Sequence, residues 1–352
     1  MKQLRLALAI GCALTASLGL AQTGPYKVLK IAKTGGDGGF DYVYADSAGR
    51  RLYVARSGPN ARISVFNLDT LEPVGEIPKF SAHGAAVDAK SGHGFATSKP
   101  VVMWDTKTLQ VIKPIDVTGN PDGLMFDAFN QRVYIFSHSA PNSTVIDAKD
   151  GTVLGTIDLG GAPEQAATDG RGHIYVDIED KGSIAVVDAA AMKMTGSYDL
   201  QGKGATCAGL ALDAKNNVLF AACRNPQTMV MLSATDGKIL DTLPIGQGTD
   251  GAGFNPDTME AFSSQGDGTL TVIKENGPAS FVVEQNVQTM PRAKTMTIDT
   301  KTGHILLIAA EYAAPPAPPA GAPAPPVGGR GGRGGRGGVM VPDSFSLIMV
   351  GK

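Results

Sequence analysis

Short hydrophobic runs alternate with polar turns along nearly the whole chain, and this pattern repeats. The segment SAGRRLYVARSGPNARISVFNLDTLEPVGEIP, residues 47–78, contains three β-rich runs separated by turns, and six later segments share its layout. Each copy follows one more short run, which ends at a residue whose side chain can cap a tight turn between strands. These residues are Asp46, Asp88, Asp127, Asp169, Asp213, Asn255 and Asp299.

The spacing of these turn residues predicts the fold. Successive members are 42, 39, 42, 44, 42 and 44 positions apart. A period of about 40 to 45 residues with four strands per unit is typical of a propeller blade. The sequence therefore predicts an all-β fold, a seven-bladed β-propeller with four antiparallel strands per blade.

The last predicted blade lacks an outer strand. Its hydrophobic runs are Lys294–Ile298, His304–Ala309 and Phe345–Met349, whereas the strand-like run Tyr26–Ile31 near the N-terminus belongs to no copy. We expect Tyr26–Ile31 to pair outside Phe345–Met349 and to close the ring, which removes an exposed sheet edge. Residues 22–352 are therefore predicted to form a single propeller domain.

The repeats resemble those of a known family. Tyr53–Arg56 stands where the YVTN-repeat propellers carry the tetrapeptide that names them, and Ser143–Asp147 and Ile184–Asp188 resemble their V-I-D strand ends. The resemblance to these YncE-like proteins, a family exported by bacteria and archaea, covers nearly the whole mature chain. It implies a seven-bladed propeller and leaves the activity open, because the motif is structural.

The N-terminus has the pattern of a secretory signal peptide. Lys2 and Arg5 precede the apolar run Leu6–Leu20, and the small residues Gly19 and Ala21 suit cleavage before position 22. The apolar run is shorter than the roughly 20 residues that span a bilayer, and no later segment is long and apolar enough. We expect residues 1–21 to be removed, and the protein to be periplasmic, secreted or on the cell surface without a transmembrane segment.

The composition excludes several classes of protein. Lys and Arg number 31 against 33 Asp and Glu, with 43% hydrophobic and 18% charged residues, which excludes a disordered polyelectrolyte and a polytopic membrane protein. Removing Lys2 and Arg5 leaves 29 basic and 33 acidic residues, a net charge of −4. This balance does not predict a nucleic-acid partner. We expect a monomer.

Two cysteines, Cys207 and Cys223, remain after signal cleavage. They flank a predicted hairpin whose turn, around residues 214–217, would pair Leu212 with Val218 and Cys207 with Cys223. Exported proteins can keep disulfides. We expect a disulfide between the two cysteines, and two free buried thiols are the alternative.

Residues 313–340 interrupt the last blade between its second and third strands. A Pro/Ala-rich stretch is followed by three Arg-Gly-Gly steps at Arg330, Arg333 and Arg336. This composition cannot bury a core, so the segment is predicted to be a disordered loop. A tolerated loop expansion and a tether to an acidic partner, peptidoglycan or lipid headgroups both fit it.

The candidate site lies where the innermost strands begin. In a propeller these strands line the central channel, and the position five residues before each turn residue should form a ring at the channel mouth. The ring members are Asp41, His83, Asp122, Glu164, Ala208, Asp250 and Lys294. The clustered carboxylates need compensation, which either Lys294 with Arg292 and Arg56 or a metal would supply.

Three interpretations of this ring stay open. Asp41, His83, Asp122, Glu164 and Asp250 are candidate ligands for Ca²⁺, or for Zn²⁺ or Mn²⁺ through the imidazole. A metal with a carboxylate base would also suit a lactonase-like hydrolase. The third interpretation is a polar rim that binds a protein, peptide or glycan through these residues with Lys294, Arg292 and Arg56.

We predict a binding or scaffold module rather than an enzyme. The chain has no GxSxG, CxxCH or HExxH motif and no Gly-rich phosphate loop, so the sequence assigns no catalytic residue. A metal-dependent hydrolase is the alternative, and an accessory to a periplasmic redox system is a second alternative that rests on fold analogy. His138, which follows the second strand of blade three, is a minor candidate for the site.

Overall fold

The computed structural model describes residues 24–313 and 338–352. The predicted signal peptide lies outside these residues, as does nearly all of the predicted 313–340 loop. The described residues form seven four-stranded antiparallel sheets arranged in a ring, and they contain no helix. The predicted seven-bladed propeller is therefore confirmed. No helix that could span a membrane occurs in the described part of the chain.

In blades one to six the strands follow the chain from the channel outwards, and in blade seven the three C-terminal strands do so. The first strand, β1 (Lys27–Lys33), belongs to blade seven. Blade one contains β2 (Phe40–Asp46), β3 (Arg51–Arg56), β4 (Arg62–Asn67) and β5 (Pro73–Pro78). Blade two contains β6 (Ala85–Asp88), β7 (His93–Ala96), β8 (Val101–Asp105) and β9 (Val111–Ile115). Blade three contains β10 (Pro121–Asp127), β11 (Arg132–Ser137), β12 (Asn142–Asp147) and β13 (Val153–Asp158).

The other blades follow the same order. Blade four contains β14 (Pro163–Thr168), β15 (His173–Ile178), β16 (Ser183–Asp188) and β17 (Lys193–Asp199), and blade five contains β18 (Ala205–Asp213), β19 (Val218–Asn225), β20 (Gln227–Ser233) and β21 (Ile239–Pro244). Blade six contains β22 (Thr249–Asn255), β23 (Glu260–Gln265), β24 (Thr269–Gly277) and β25 (Ser280–Gln288). Blade seven contains β26 (Met296–Ile298), β27 (Ile305–Ala309) and β28 (Ser346–Gly351) beside β1.

The middle strands are hydrophobic on both faces because each blade packs against two neighbours. In β3, Leu52 and Val54 join the core between blades one and seven, whereas Tyr53 and Ala55 join the core between blades one and two. Successive side chains of a strand point to opposite faces, so one run of residues serves both cores. Outer strands face solvent, as Val74 of β5 does.

The N-terminal strand closes the ring as predicted. β1 pairs antiparallel with β28, with Ile31 opposite Ile348, and completes blade seven. The Gln285 side chain of blade six accepts a hydrogen bond from the Tyr26 backbone nitrogen at 2.9 Å and donates one to its oxygen at 2.7 Å. The start of the closing strand is thereby fixed to blade six.

The predicted turn residues lie at the end of the inner strands that is opposite the channel mouth. Asp88 and Asp213 each accept a backbone hydrogen bond at 2.9 Å, from Lys90 and Lys215. Asp299 also binds Arg50 of blade one, through nitrogen–oxygen distances of 2.8 and 2.7 Å. This turn therefore links the last blade to the first.

Cys207 and Cys223 are joined by a disulfide between β18 and β19. The pairing inside this hairpin differs from the sequence prediction by one residue: Leu212 lies opposite Leu219, not Val218. A bulge between Cys207 and Gly209 then absorbs one residue and restores the cysteines to opposite positions.

Candidate functional site

A β-bulge lies at the predicted ring position in five of the inner strands. The register of these strands shifts across Asp41, Asp122, Glu164, Ala208 and Asp250. His83 and Lys294 precede the short inner strands β6 and β26. Because a bulge interrupts the alternation of faces, it can aim a side chain away from the blade core. The predicted ring residues therefore lie together at one end of the channel.

Asp41, His83 and Asp122 converge from blades one to three. His83 Nδ1 lies 2.7 Å from an Asp41 carboxylate oxygen and 3.6 Å from one of Asp122. One ligand atom from each residue lies within 4.8 Å of the others. Asp122 is buried, whereas 41% of the His83 side chain is exposed. The cluster thus presents an imidazole and carboxylate oxygens to the mouth.

Glu164 and Asp250 belong to a separate network on the other half of the mouth. His138 Nε2 lies 3.3 Å from Glu164 and 2.8 Å from Glu179. Arg224 donates to Glu179 at 2.8 Å and also binds Asp250. Lys294 binds Asp250 as well. The five predicted metal ligands therefore do not converge on one point.

Sequence reasoning did not assign Glu179 and Arg224, and it gave His138 only minor weight. His138 and Glu179 directly follow the second strands of blades three and four, and Arg224 is the penultimate residue of the second strand of blade five. They lie 15 or 16 positions after Asp122, Glu164 and Ala208. Three charged or ionisable residues at an equivalent place in consecutive blades were the available signal. Their pairing across blades depends on distances that the repeat pattern does not contain.

The contacts of His138 fix its charge. Hydrogen bonds to Glu164 and Glu179 raise the pKa of His138 to about 10, so it is an imidazolium at neutral pH. Burial raises the pKa of Glu164, although the His138 bond acts in the opposite direction. The Tyr42 hydroxyl donates to Glu164 at 3.1 Å. His138 therefore carries a positive charge that bridges Glu164 and Glu179 at the channel mouth.

The two halves of the mouth differ in charge. Three carboxylates of blades four and six, those of Glu164, Glu179 and Asp250, meet three cations, which are His138 of blade three, Arg224 of blade five and Lys294 of blade seven. Blades one to three bring two carboxylates to one imidazole. Carboxylates therefore outnumber the imidazole two to one in the Asp41–His83–Asp122 cluster.

Arg56 and Arg292, which the sequence suggested as compensating cations, make other contacts. The Arg56 guanidinium lies 3.9 Å from the centre of the Phe345 ring and donates to the Asp37 backbone oxygen at 2.7 Å. Arg292 lies 3.8 Å from the centre of the Tyr312 ring. The compensation expected from these two arginines comes instead from His138 and Arg224.

A cavity of about 260 Å³ occupies the channel below the ring. Glu164 and residues of the inner strands line it. Its wall mixes apolar and aromatic side chains, among them Phe136, Phe254, Met296 and Ile298, with the polar side chains of Glu164, Gln165 and Thr297. The site therefore combines a charged rim with a partly apolar interior.

Comparisons with known proteins support the fold. A chain in a crystal structure of the mitotic checkpoint complex matches with a TM-score of 0.70 and 11% identity, over 87% of this chain and 96% of that one. The structure of U3-55K matches with a TM-score of 0.70 and 9% identity, over 92% and 98%. No protein-family model and no curated protein sequence matches the chain. At such identities the likeness concerns the fold alone.

Proposed function

We propose that the protein is an exported binding or scaffold module of the YVTN, YncE-like type, and that its channel mouth binds a basic group of a protein, peptide or glycan. The export signal pattern and the repeat around Tyr53–Arg56 support the location and the family. Propellers commonly serve as binding modules, and one of the similar chains belongs to a complex named for the mitotic checkpoint.

The observation that carries this proposal is the unequal charge of the mouth. Asp41 and Asp122 meet at His83, whereas the other half carries equal numbers of carboxylates and cations. A cationic group complements blades one to three. Charge complementarity of this kind governs the rate and specificity of association.

The cavity below the ring adds an apolar component to recognition. Tyr42 and Leu124 line it beside the strands that carry Asp41 and Asp122. An apolar group of the ligand that extends past the two carboxylates would be removed from water there, which is favourable. This supports a ligand that carries an apolar group next to its positive charge.

Calorimetric titration with the peptide GGRGGRGGRGG tests the proposal. We expect Asp41→Asn and Asp122→Asn each to weaken binding about tenfold. Asp158→Asn changes an exposed carboxylate at the end of the outer strand of blade three and should leave affinity unchanged. Absence of binding to the unmodified protein, or equal loss in all three variants, contradicts the proposal.

A metal-dependent, lactonase-like hydrolase is the second candidate, and the Asp41–His83–Asp122 cluster supports it. These residues supply donors that suit a divalent cation, which would contribute Lewis-acid chemistry when bound. Mass spectrometry of protein purified without chelator should then find one metal ion per chain, absent from His83→Gln. Lactone hydrolysis that a chelator abolishes would favour this candidate, and metal-free protein would exclude it.

A further inference from the structure

Gln165 of blade four connects three blades at the wall of the channel. It lies in β14, and its Oε1 accepts hydrogen bonds from the Leu210 backbone nitrogen of blade five at 2.8 Å and from the Ala252 backbone nitrogen of blade six at 3.1 Å. Inner strands are sheet edges, and their unpaired amide groups need acceptors. One side-chain oxygen therefore serves the inner edges of two neighbouring blades.

These two contacts fix the orientation of the Gln165 amide. Turning the amide over would place its NH₂ group against two backbone N–H donors, so the hydrogen-bond network assigns the oxygen and nitrogen positions. Gln165 Nε2 donates to none of the residues that the structure describes, and it is not sealed from solvent. Because Gln165 lines the channel cavity, its NH₂ group is an available donor there.

Thr297 of blade seven contributes a second donor to the same cavity. Its Oγ1 accepts from the Ala45 backbone nitrogen at 3.2 Å, and within the described part of the chain its hydroxyl hydrogen meets no acceptor. The Glu164 carboxylate is already engaged, since Oε2 accepts from Tyr42 and Oε1 lies 3.3 Å from His138 Nε2. The polar side chains of the cavity therefore complement a ligand that carries an acceptor.

The cavity has the size and the wall to hold an aromatic molecule. Its volume is about 260 Å³, whereas a protein cavity of roughly 150 Å³ accommodates benzene. Tyr42, Tyr44 and Phe254 line it and are partly exposed, and aromatic side chains favour stacked or edge-to-face contacts with another ring. The Glu164 carboxylate disfavours a negatively charged ligand beside it. A neutral aromatic ligand fits these surroundings best.

We propose that the channel cavity binds a small neutral aromatic molecule that carries a carbonyl oxygen. The carbonyl accepts a hydrogen bond from Gln165 Nε2, and the ring packs among Tyr42, Tyr44 and Phe254. A site whose donor finds its acceptor only in the ligand rejects analogues that lack this acceptor. The site does not include the Asp41–His83–Asp122 cluster, so it is independent of peptide binding at the mouth.

NMR titration with acetophenone and with ethylbenzene tests this site. The two probes share ring and length, and a carbonyl in one replaces a methylene in the other, so acetophenone should bind about tenfold more tightly. Gln165→Glu keeps an oxygen for Leu210 and Ala252 but replaces the donor by an acceptor, and it should remove this preference. Gln110→Glu, at an exposed glutamine of blade two, should keep the preference.

Ala166→Leu gives a second test that leaves the Gln165 amide unchanged, in case Gln165→Glu does not fold. Ala166 lines the cavity, and the larger side chain should weaken the binding of both probes at least tenfold. Failure of acetophenone to bind the unmodified protein would overturn the proposal and leave a channel that holds water alone. Equal affinity for the two probes, or an acetophenone affinity that Gln165→Glu and Ala166→Leu leave unchanged, would also overturn it.

The mouth variants separate this proposal from the proposed function. Asp41→Asn/Asp122→Asn leaves the cavity donors in place and should bind acetophenone as the unmodified protein does. Loss of peptide binding in that variant therefore concerns the mouth alone, and loss of acetophenone binding in Gln165→Glu concerns the cavity alone.

Discussion

His138 illustrates how position determines the role of a single residue. It follows the second strand of blade three and bridges Glu164 and Glu179, both of blade four. Its type and its place in the repeat could be recognised from sequence, but its partners could not. Glu164 and Glu179 lie 26 and 41 residues further along the chain, and they meet His138 only because the blades pack side by side.

The charge of His138 leads to the first prediction. Its raised pKa of about 10 means that its ion pairs contribute fully below the unfolded value near 6.5, and this contribution is lost as pH rises through about 10. The effect on stability should be about 1 kcal/mol, since the side chain is 38% exposed. An NMR titration of the His138 ring should have its midpoint near 10, and near 6.5 in Glu164→Gln/Glu179→Gln. A midpoint near 6.5 in the unmodified protein would contradict this assignment.

At the level of single elements, turn chemistry could be predicted better than register. The inner strands β2, β6, β10, β18 and β22 end at the predicted turn residues, and β14 and β26 end one residue earlier. Asp and Asn mark these turns because they cap the backbone locally. The bulges at Asp41, Asp122 and Ala208 leave no such local mark, so the one-residue shift in the blade-five hairpin was not predictable.

The Cys207–Cys223 disulfide leads to the second prediction. Its two cysteines are 16 residues apart, and closing a loop of this size should stabilise the protein by about 3 kcal/mol in the chain-entropy model. Urea unfolding should show the free energy of unfolding falling by this amount when a reductant is added. A Cys207→Ala/Cys223→Ala variant should have the lower stability and should not respond to the reductant. Two free thiols in the unreduced, unfolded protein would contradict the prediction.

At the level of the whole molecule, the fold could be predicted because every blade repeats one plan. The unmatched N-terminal run and the incomplete last blade together predicted closure, and β1 pairs with β28 as expected. The site was less predictable because its charges come from differences between blades. Ala208 takes a ring position where four other blades carry an acid, and Arg224 of the same blade supplies a cation instead.

Ring closure leads to the third prediction. Gln285→Ala removes both hydrogen bonds to the Tyr26 backbone and leaves buried polar groups without partners, which should destabilise the protein by about 2 kcal/mol. Asn286→Ala, at the next and exposed position of β25, should change stability little. Chemical unfolding of both variants measures the difference, and equal stabilities would show that this contact does not secure the closure.

The most direct test of the central claim is to locate a bound ligand on the ring. A GGRGGRGGRGG peptide carrying a photoreactive benzoylphenylalanine can be cross-linked to the protein and its attachment sites mapped by mass spectrometry. We predict attachment at the mouth of blades one to three, near Tyr42 and Gly84, and its loss in Asp41→Asn/Asp122→Asn. Attachment confined to the outer strands or to blades four to six, unchanged in that variant, would contradict a binding role for this part of the mouth.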